Sequence, residues 1–212
     1  RPLWIGPEVA FTERHLDALQ RNLAAEGTVV FPELPLRCLP TTLRLQELMA
    51  TTLGRIVKMV VHASAWSLRS DSPPPLSHLL DWCTSLIQRR AVAVEPLPSE
   101  PSGSSADAVK LVFDTSRSSQ RSPQVDIVHC GAATRAPDAG KDDHLSLCEF
   151  TCETGTAVIN SRDELQWTTD GRTVPERLTA DRTAWEVMLD LFARRVSGGL
   201  IPTPGLDDLR HA

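Results

Sequence analysis

Four residues of the chain have side chains that could take part in nucleophilic or acid–base chemistry if folding brought them together. His129 and Cys130 are adjacent, and so are Asp143 and His144 further along the chain. A cysteine thiol activated by an imidazole is the nucleophile of thiol-dependent enzymes. His129 and Cys130 fall on a predicted strand, however, where neighbouring side chains point to opposite faces. A thiol-dependent α+β enzyme built from these residues is therefore an alternative and not the main prediction.

A second set of residues has the spacing of metal ligands on a helix. His144, Cys148 and Cys152 recur every four residues. They fall on a predicted strand, where four residues span roughly 13 Å, too far for one tetrahedral zinc ion. The acidic pair Asp142 and Asp143 is interpreted as part of a solvated loop. We therefore predict no metal site.

The motifs that mark nucleotide binding and hydrolysis are missing from the sequence. The segment 131–141 ends in Gly-Lys, as a phosphate loop does, but its two glycines are nine residues apart and Asp142 replaces the Ser or Thr. The chain contains neither a Gly-x-Gly-x-x-Gly dinucleotide fingerprint nor a Gly-x-Ser-x-Gly elbow. We predict no cofactor.

Composition indicates a soluble globular protein of ordinary charge. Of its 212 residues, 41% are hydrophobic and 23% are charged, and the net charge is -5. No apolar run approaches the roughly 20 residues of a membrane span, and no large basic field predicts a nucleic-acid groove. Five cysteines, an odd number, indicate free thiols in a reducing compartment. The chain begins with Arg1 in place of Met, which fits a cleaved transit peptide or trimming.

The clearest structural pattern lies in residues 179–199. Thr179 is the predicted N-cap of a helix, and Gly198 or Gly199 is its predicted end. One face of this helix carries a long apolar stripe, which needs a large apolar partner surface. We therefore expect a sheet that receives the helix or an oligomer interface. The stripe consists of apolar residues spaced by three and four: Trp185, Met188, Leu189, Phe192 and Val196.

Helices are also predicted near the N-terminus and in the middle of the chain. Residues 13–26 form an amphipathic helix that ends at Gly27, and its packing face contains Leu16, Leu19 and Leu23. The stretch 43–68 is interpreted as two segments broken at Gly54, first a strand or helix and then a strand. A further helix is predicted at residues 77–90.

Short segments with alternating or β-branched residues predict the strands, and Asp170-Gly171 predicts a turn. Successive strands joined by polar loops favour one α+β domain, 1–212, with an antiparallel meander sheet of about seven strands. An N-terminal helix and one or two C-terminal helices would flank this sheet. Residues 1–11 are an extended lead-in, and 97–106 and 131–143 are flexible loops.

The order of these elements resembles the acidic mitochondrial matrix protein family, also called the mitochondrial glycoprotein or complement globular-head-binding protein family. Three stretches carry the resemblance. They are LGRIVKMVVHASAW from Leu53, RAVAVEPL followed by DAVKLVFD, and LSLCEFTCETG followed by LTADRTAWEVMLDLFARRVSGGLIPTPGLDDL.

This resemblance implies a non-enzymatic scaffold or chaperone of the mitochondrial matrix, without a cofactor. It would act in ribosome assembly, translation or RNA processing, as a trimer with itself or with paralogues. Its partners would be mitochondrial ribosomal or RNA-processing proteins, with RNA contacted at most indirectly and no membrane span. A lineage-specific structural subunit of a large ribonucleoprotein is the other alternative.

Overall fold

The structure, a computed structural model, describes residues 2–6, 12–62, 76–89, 91–96, 107–113, 123–129, 148–179, 182–200 and 204–209. The helices are α1 (Glu13–Glu26), α2 (Pro40–Leu48), α3 (Leu76–Ile87), α4 (Ala184–Val196) and α5 (Leu206–Leu209), with a 3₁₀ turn at Pro35–Cys38 and a π-helical turn at Met49–Leu53. The strands are β1 (Leu3–Ile5), β2 (Val30–Pro32), β3 (Ile56–His62), β4 (Ala91–Pro96), β5 (Asp107–Phe113), β6 (Gln124–His129), β7 (Cys148–Cys152), β8 (Gly155–Ile159), β9 (Glu164–Thr169) and β10 (Arg172–Arg177).

Eight strands form one mixed sheet in the order β10-β9-β8-β7-β3-β6-β5-β4. All neighbours in this sheet are antiparallel except β3 and β6, which are parallel. The predicted antiparallel meander of about seven strands is therefore wrong. After β3 the chain passes through α3 to β4, at the far edge of the sheet. It then returns through β5 and β6 to lie beside β3, whereas β7 to β10 extend the other side.

β1 and β2 form a separate two-stranded parallel sheet, connected by α1. The bounds predicted for α1 are confirmed, and Gly27 follows it with a φ of 63°, as a helix stop requires. Leu16 is buried, and Leu19 and Leu23 are half-buried. Most other described side chains of α1 are exposed.

The core lies on the face of the large sheet that α2 and α3 cover. Trp82 of α3 is fully buried and meets Phe150 of β7 edge to face, with ring centroids 6.1 Å apart. Its indole N–H donates to Thr42 Oγ1 of α2 at 3.0 Å. Burial of a large apolar side chain of this kind contributes about 1.5–3 kcal/mol to the free energy of unfolding. The helix predicted at residues 77–90 is thus confirmed as α3 and forms part of the core layer.

The stretch 43–68 is broken at Gly54, as predicted, with a helix before the break and a strand after it. Gly54 has a φ of 71° and a ψ of −159°, a conformation open essentially to glycine alone. A Cβ atom at this position would also lie 2.7 Å from Oε2 of Glu153. The backbone conformation interrupts the helix, and both constraints explain why this position is glycine.

The strand β10 contains Pro175 near its centre, an unusual position for proline in a strand. Proline is tolerated there because β10 is an edge strand. The strand fastens α2 to the sheet: the guanidinium of Arg44 donates to both carboxylate oxygens of Glu176, at 2.7 and 2.9 Å. Trp167 Nε1 also donates to Glu176 Oε1, at 2.7 Å.

α4 packs on the small parallel sheet and the 3₁₀ turn, and this contact buries only part of its predicted stripe. Met188 is 1% exposed and Phe192 is half-buried, but three other residues of that stripe are exposed: Trp185 at 40%, Leu189 at 55% and Val196 at 44%. The helix buries a face about one residue earlier, composed of Ala184, Val187, Met188, Leu191 and Phe192. No helix among the described residues has the length and hydrophobicity to cross a bilayer.

The N-cap of α4 is Thr183, and the predicted N-cap Thr179 lies four residues earlier. Thr183 Oγ1 accepts a hydrogen bond from the Glu186 N–H at 3.2 Å. The Glu186 carboxylate in turn accepts one from the Thr183 N–H at 2.6 Å, which completes a capping box.

This assignment predicts different effects for two threonines. Thr183→Ala removes the cap, so we expect the free energy of unfolding to fall by about 1 kcal/mol. Thr179→Ala changes an exposed residue outside the helix and is expected to stay within about 0.5 kcal/mol of wild type. Urea unfolding of both variants measures the difference. Equal losses, or a larger loss at Thr179, would contradict the assignment.

Candidate active site

The polar face of α3 has the strongest concentration of buried ionisable groups among the described residues. An α-helix turns once every 3.6 residues, so His78, Asp81, Ser85 and Gln88 lie along one face, the last just past the helix end. The adjacent face carries the core residues Leu79, Trp82, Cys83 and Leu86. His78 is 7% exposed and Asp81 only 1%. Burial of a histidine and an aspartate one turn apart needs an explanation, since desolvation of charged groups is costly.

Arg37 of the 3₁₀ turn is the partner of Asp81. Its Nε donates to Asp81 Oδ2 at 2.8 Å and its Nη2 to Asp81 Oδ1, so the pair is bidentate. The same Nη2 also donates to Asp208 Oδ1 of α5, at 2.8 Å. The backbone N–H of Gly205 donates to the other oxygen of Asp208, at 2.8 Å. One guanidinium therefore links three segments that are far apart in the sequence.

The electrostatics of this pair are set by burial and by the bidentate contact. Burial opposes the charged form of Arg37, but the hydrogen bonds and attraction of Asp81 and Asp208 outweigh it, so the pKa of Arg37 lies above its ordinary value. Burial raises the pKa of Asp81, and the hydrogen bonds from Arg37 offset part of that rise. The contact thus stabilises the ionised form of a deeply buried carboxylate.

His78 has one ring nitrogen without a hydrogen-bond partner in the described part of the chain. Its Nδ1 is buried and has no hydrogen-bond partner among the described residues. Such an atom typically costs about 1–3 kcal/mol of stability. Burial lowers the pKa of His78, and the negative charges of Asp81 and Glu33 oppose that effect. The imidazole is accordingly neutral in the resting protein, with carboxylates close enough to favour its protonated form.

An aromatic cluster adjoins the carboxylate of Glu33, which is 5% exposed. Trp4 Nε1 donates to Glu33 Oε2 at 3.4 Å. The Trp4 ring stacks on Phe31 at 5.0 Å and on Trp185 at 5.1 Å, with an interplanar angle of only 7° for the second pair. These stacked rings bury apolar surface beside the Glu33 carboxylate.

The arrangement can carry out acid–base chemistry. A neutral imidazole accepts a proton, and the resulting imidazolium is stabilised by nearby carboxylates. Asp81 cannot move freely toward the imidazole, because Arg37 holds both of its oxygens. This division of roles, with one residue transferring the proton and a second held in place beside it, is common to many acid–base sites.

A cavity of about 400 Å³ continues along the same face of α3 beyond Asp81. Arg37 and Asp208 line it at one end, and Thr84, Ser85 and Gln88 line it along the helix. Gln46 of α2 and Arg89 complete its wall. The lining of this open cavity does not include His78 or Asp81, which lie further toward the start of the helix.

The residues that the sequence suggested for chemistry are not brought together in the described part of the chain. His129 ends β6, but its side chain lies outside the described residues, as do Cys130, Asp143 and His144. Cys148 and Cys152 are buried on β7; burial raises the pKa of the Cys152 thiol to about 11 and that of Cys148 well above its ordinary value. Among the described residues no group of three or more His, Cys, Asp and Glu could hold a metal ion.

Sequence reasoning missed His78, Asp81, Arg37 and Glu33. The helix 77–90 was predicted, and a histidine and an aspartate three residues apart on its polar face were the available signal. The residues Arg37 and Glu33 lie in a proline-rich stretch, and prolines disfavour a central strand. Nothing in the local pattern indicates that this stretch packs against α3.

Comparison with known proteins identifies the fold through solved structures alone. No family model matches the chain, and no curated protein matches it. The UDP-N-acetylglucosamine 3-dehydrogenase GnnA of Acidithiobacillus ferrooxidans matches with a TM-score of 0.69 and 13% identity, over 98% of this chain and 65% of that one. A protein from Magnetospirillum magnetotacticum MS-1, provisionally assigned as an oxidoreductase, matches with a TM-score of 0.65 and 18% identity, over 99% and 70%.

A third structure, from Thermotoga maritima and also provisionally assigned as an oxidoreductase, matches with a TM-score of 0.64 and 11% identity, over 98% of this chain and 66% of that one. At these identities the matches show a shared fold. The chain spans 65% of the length of the Acidithiobacillus enzyme.

These matches overturn the prediction of a non-enzymatic scaffold in ribosome assembly or RNA processing, and that of a ribonucleoprotein subunit, because the structures that share the fold are assigned as oxidoreductases. They do not test the resemblance to the acidic matrix protein family, the matrix location or the predicted partners, which stay predictions.

Loss of the contact between Arg37 and Asp81 is expected to lower the stability of the protein, and a second substitution at Asp81 is expected to recover it. Arg37→Met leaves Asp81 buried without its cation, so we expect the free energy of unfolding to fall by about 3 kcal/mol. Arg177→Met, at a side chain 77% exposed, is the matched control and should change it by less than about 0.5 kcal/mol. The double variant Arg37→Met/Asp81→Leu should recover most of the lost free energy of unfolding, as measured by urea unfolding. A loss at Arg37 no larger than at Arg177 would refute the role.

The burial of His78 predicts its titration. Its imidazole should titrate below pH 6.5, the ordinary value, when followed by NMR with His78→Gln to assign the signal. The pKa of His78 is lower in the folded protein than in the unfolded chain, so the contribution of this group to the free energy of unfolding is fully present above pH 6.5. It is lost as the pH falls from 6.5 toward the folded pKa, because the unfolded chain takes up the proton first. Glu33→Gln removes an opposing negative charge and should lower the pKa further. A rise in that variant would contradict the geometry.

Proposed function

We propose that this chain carries the proton-transferring part of an oxidoreductase active site, with His78 as general base and general acid. The observation that carries the proposal is the buried, unpartnered Nδ1 of His78 among the described residues, next to two carboxylates. The fold shared with structures assigned as oxidoreductases gives the reaction class.

Oxidation of an alcohol to a carbonyl removes two groups from the substrate. The hydroxyl oxygen loses a proton, and the carbon that bears it loses a hydride. In the proposed reaction Nδ1 of His78 takes the proton as the O–H bond breaks. Asp81 and Glu33 then stabilise the imidazolium, which returns the proton to oxygen in the reverse direction.

The acceptor of the hydride is not assigned to any residue of this chain. Nicotinamide dinucleotides are commonly held by a Gly-x-Gly-x-x-Gly loop between a strand and a helix. None of the eleven glycines of the sequence forms this pattern, so the residues present do not fit a dinucleotide held in that way. We therefore derive no step through such a group.

A nucleotide-linked sugar is the first substrate class to test. The Acidithiobacillus enzyme acts, by its name, on UDP-N-acetylglucosamine. In this chain, hydroxyl and amide side chains line the cavity beyond Asp81, together with two arginines. Groups of these types bind sugar hydroxyls and phosphates.

The proposal predicts a specific loss of turnover. The full protein is assayed for reduction of a nicotinamide or flavin acceptor in the presence of UDP-N-acetylglucosamine and other nucleotide sugars. His78→Gln should lower kcat by about 10²- to 10⁴-fold, because it removes the general base. His15→Gln changes an exposed histidine on α1 and should leave kcat unchanged. Equal rates for wild type and His78→Gln would disprove the assigned role.

A further inference from the structure

The two edge strands of the large sheet, β4 and β10, differ in how they are protected against pairing with another chain. An edge strand presents backbone N–H and C=O groups that a further strand can bind, and proteins block such edges with proline and charged side chains. β10 has Pro175 near its centre, and Arg172 and Arg177 at its two ends. These residues make β10 a poor partner for a further strand.

β4 lacks this protection over most of its length. Its first four residues are alanine and valine, and its single proline is the last residue. Val92 is 58% exposed and Val94 is 48% exposed. In the described part of the chain β4 pairs with β5 alone, so its other edge is open to a partner. An exposed apolar edge strand is a site at which another extended chain can pair.

A bulge and a proline limit the length of this open edge. The register with β5 shifts between Ala91 and Ala93, so Val92 is an extra residue on β4. From Ala93 onward the register is regular. Pro96 has no N–H to donate. The edge that can pair therefore runs from Ala91 to Glu95.

The sequence of β4 fits an antiparallel copy of itself. Directly opposite residues of an antiparallel pair point to the same face of the sheet, so a two-fold axis between two copies passes through one residue position. With this axis at Ala93, Val92 of each copy lies opposite Val94 of the other. Glu95, the one charged residue of β4, then lies opposite Ala91, and the two copies of Glu95 are roughly 13 Å apart along the strands. Apolar residues thus meet apolar residues, and the like charges stay apart.

Charge and area indicate the direction and the strength of this pairing. In a parallel pair the two Glu95 carboxylates could lie side by side and repel each other, which favours the antiparallel pair. A strand of six residues is about 20 Å long. A stable interface usually takes about 20–30 residues and about 800 Å² from each partner, far more than such a strand supplies. We therefore expect a weak dimer that dissociates on dilution.

We propose that β4 is an interaction surface and that its partner is a second copy of this chain, paired antiparallel about a two-fold axis at Ala93. The two eight-stranded sheets then form one continuous sheet, joined by backbone hydrogen bonds across the axis. Two-fold dimers of this kind, in which both copies use the same surface, are the commonest symmetric assemblies.

The solution mass tests the dimer. Light scattering is measured at about 5 µM and about 500 µM, concentrations that bracket the Kd of a weak dimer. The mass of wild type should rise from 23.3 kDa toward twice that value. Val94→Lys should stay monomeric at both concentrations. Val57→Lys, at a valine that is 42% exposed on the central strand β3, is the matched control and should dimerise as wild type does.

Two results of this measurement would overturn the proposal. The first is a wild type that stays monomeric at the higher concentration, which would leave the β4 edge to an extended segment of another protein. The second is a dimer that persists in Val94→Lys while the melting temperature is unchanged, because the dimer would then form elsewhere. None of these variants changes His78, so the outcome is independent of the proposed catalytic role.

Cross-linking locates the contact. Ala93 of one copy faces Ala93 of the other at the axis, where Cα atoms of opposite residues are about 4.5–5.5 Å apart, a distance that a disulfide bond can span. Ala93→Cys is made in a Cys130→Ser background, since the other four cysteines are buried. Oxidation with diamide, which takes two electrons and two protons from the two thiols, should give a covalent dimer on a gel run without reductant.

The control for cross-linking is Thr173→Cys in the same background, at an exposed residue of the other edge strand, β10. It should stay monomeric after the same treatment. A covalent dimer in both variants, or in neither at a concentration at which wild type dimerises, would refute the assigned contact.

Discussion

The bidentate contact between Arg37 and Asp81 is the interaction on which the proposed site depends. Asp81 lies on the helix that covers the centre of the large sheet, where its charge would be costly without a partner. Arg37 comes from a 3₁₀ turn that starts with Pro35 and follows the small parallel sheet. Because one guanidinium satisfies this carboxylate and Asp208 together, the contact also fixes α5 against α3. The two sheets are joined at this point by charge as well as by apolar packing.

The topology explains why the ionisable groups meet there. The chain leaves β3, which is central in the eight-stranded sheet, and returns through α3 to one edge. The helix must therefore cross the sheet, with Trp82 and Leu86 against the strands and its other side turned toward the N-terminal segment. That segment supplies Glu33 and Arg37, which follow β2 directly. A histidine and an aspartate on the outer side of α3 thus come to lie between two sheets and out of contact with bulk water.

Local features of the sequence predicted several individual elements, but neither the topology of the sheet nor the site. The bounds of α1 and the break at Gly54 follow from periodicity and from glycine, which act within a few residues. The parallel contact between β3 and β6 depends on how α3 crosses the sheet, and no neighbouring residue encodes that. The stripe of α4 was displaced by about one residue because Trp185 and Leu189 are large and apolar but face outward. His78 and Asp81 were recognisable as polar residues on a helix, but their importance comes from burial by Arg37 and Glu33, at least 41 residues earlier in the chain.

The protonation state of His78 links this contact to the proposed chemistry. Burial favours the neutral imidazole, and the negative charges of Asp81 and Glu33 favour the protonated one. Arg37 weakens that attraction and still leaves Asp81 near enough to stabilise the imidazolium once it forms. The same ion pair that permits a carboxylate in the interior therefore keeps the neighbouring histidine available as a base.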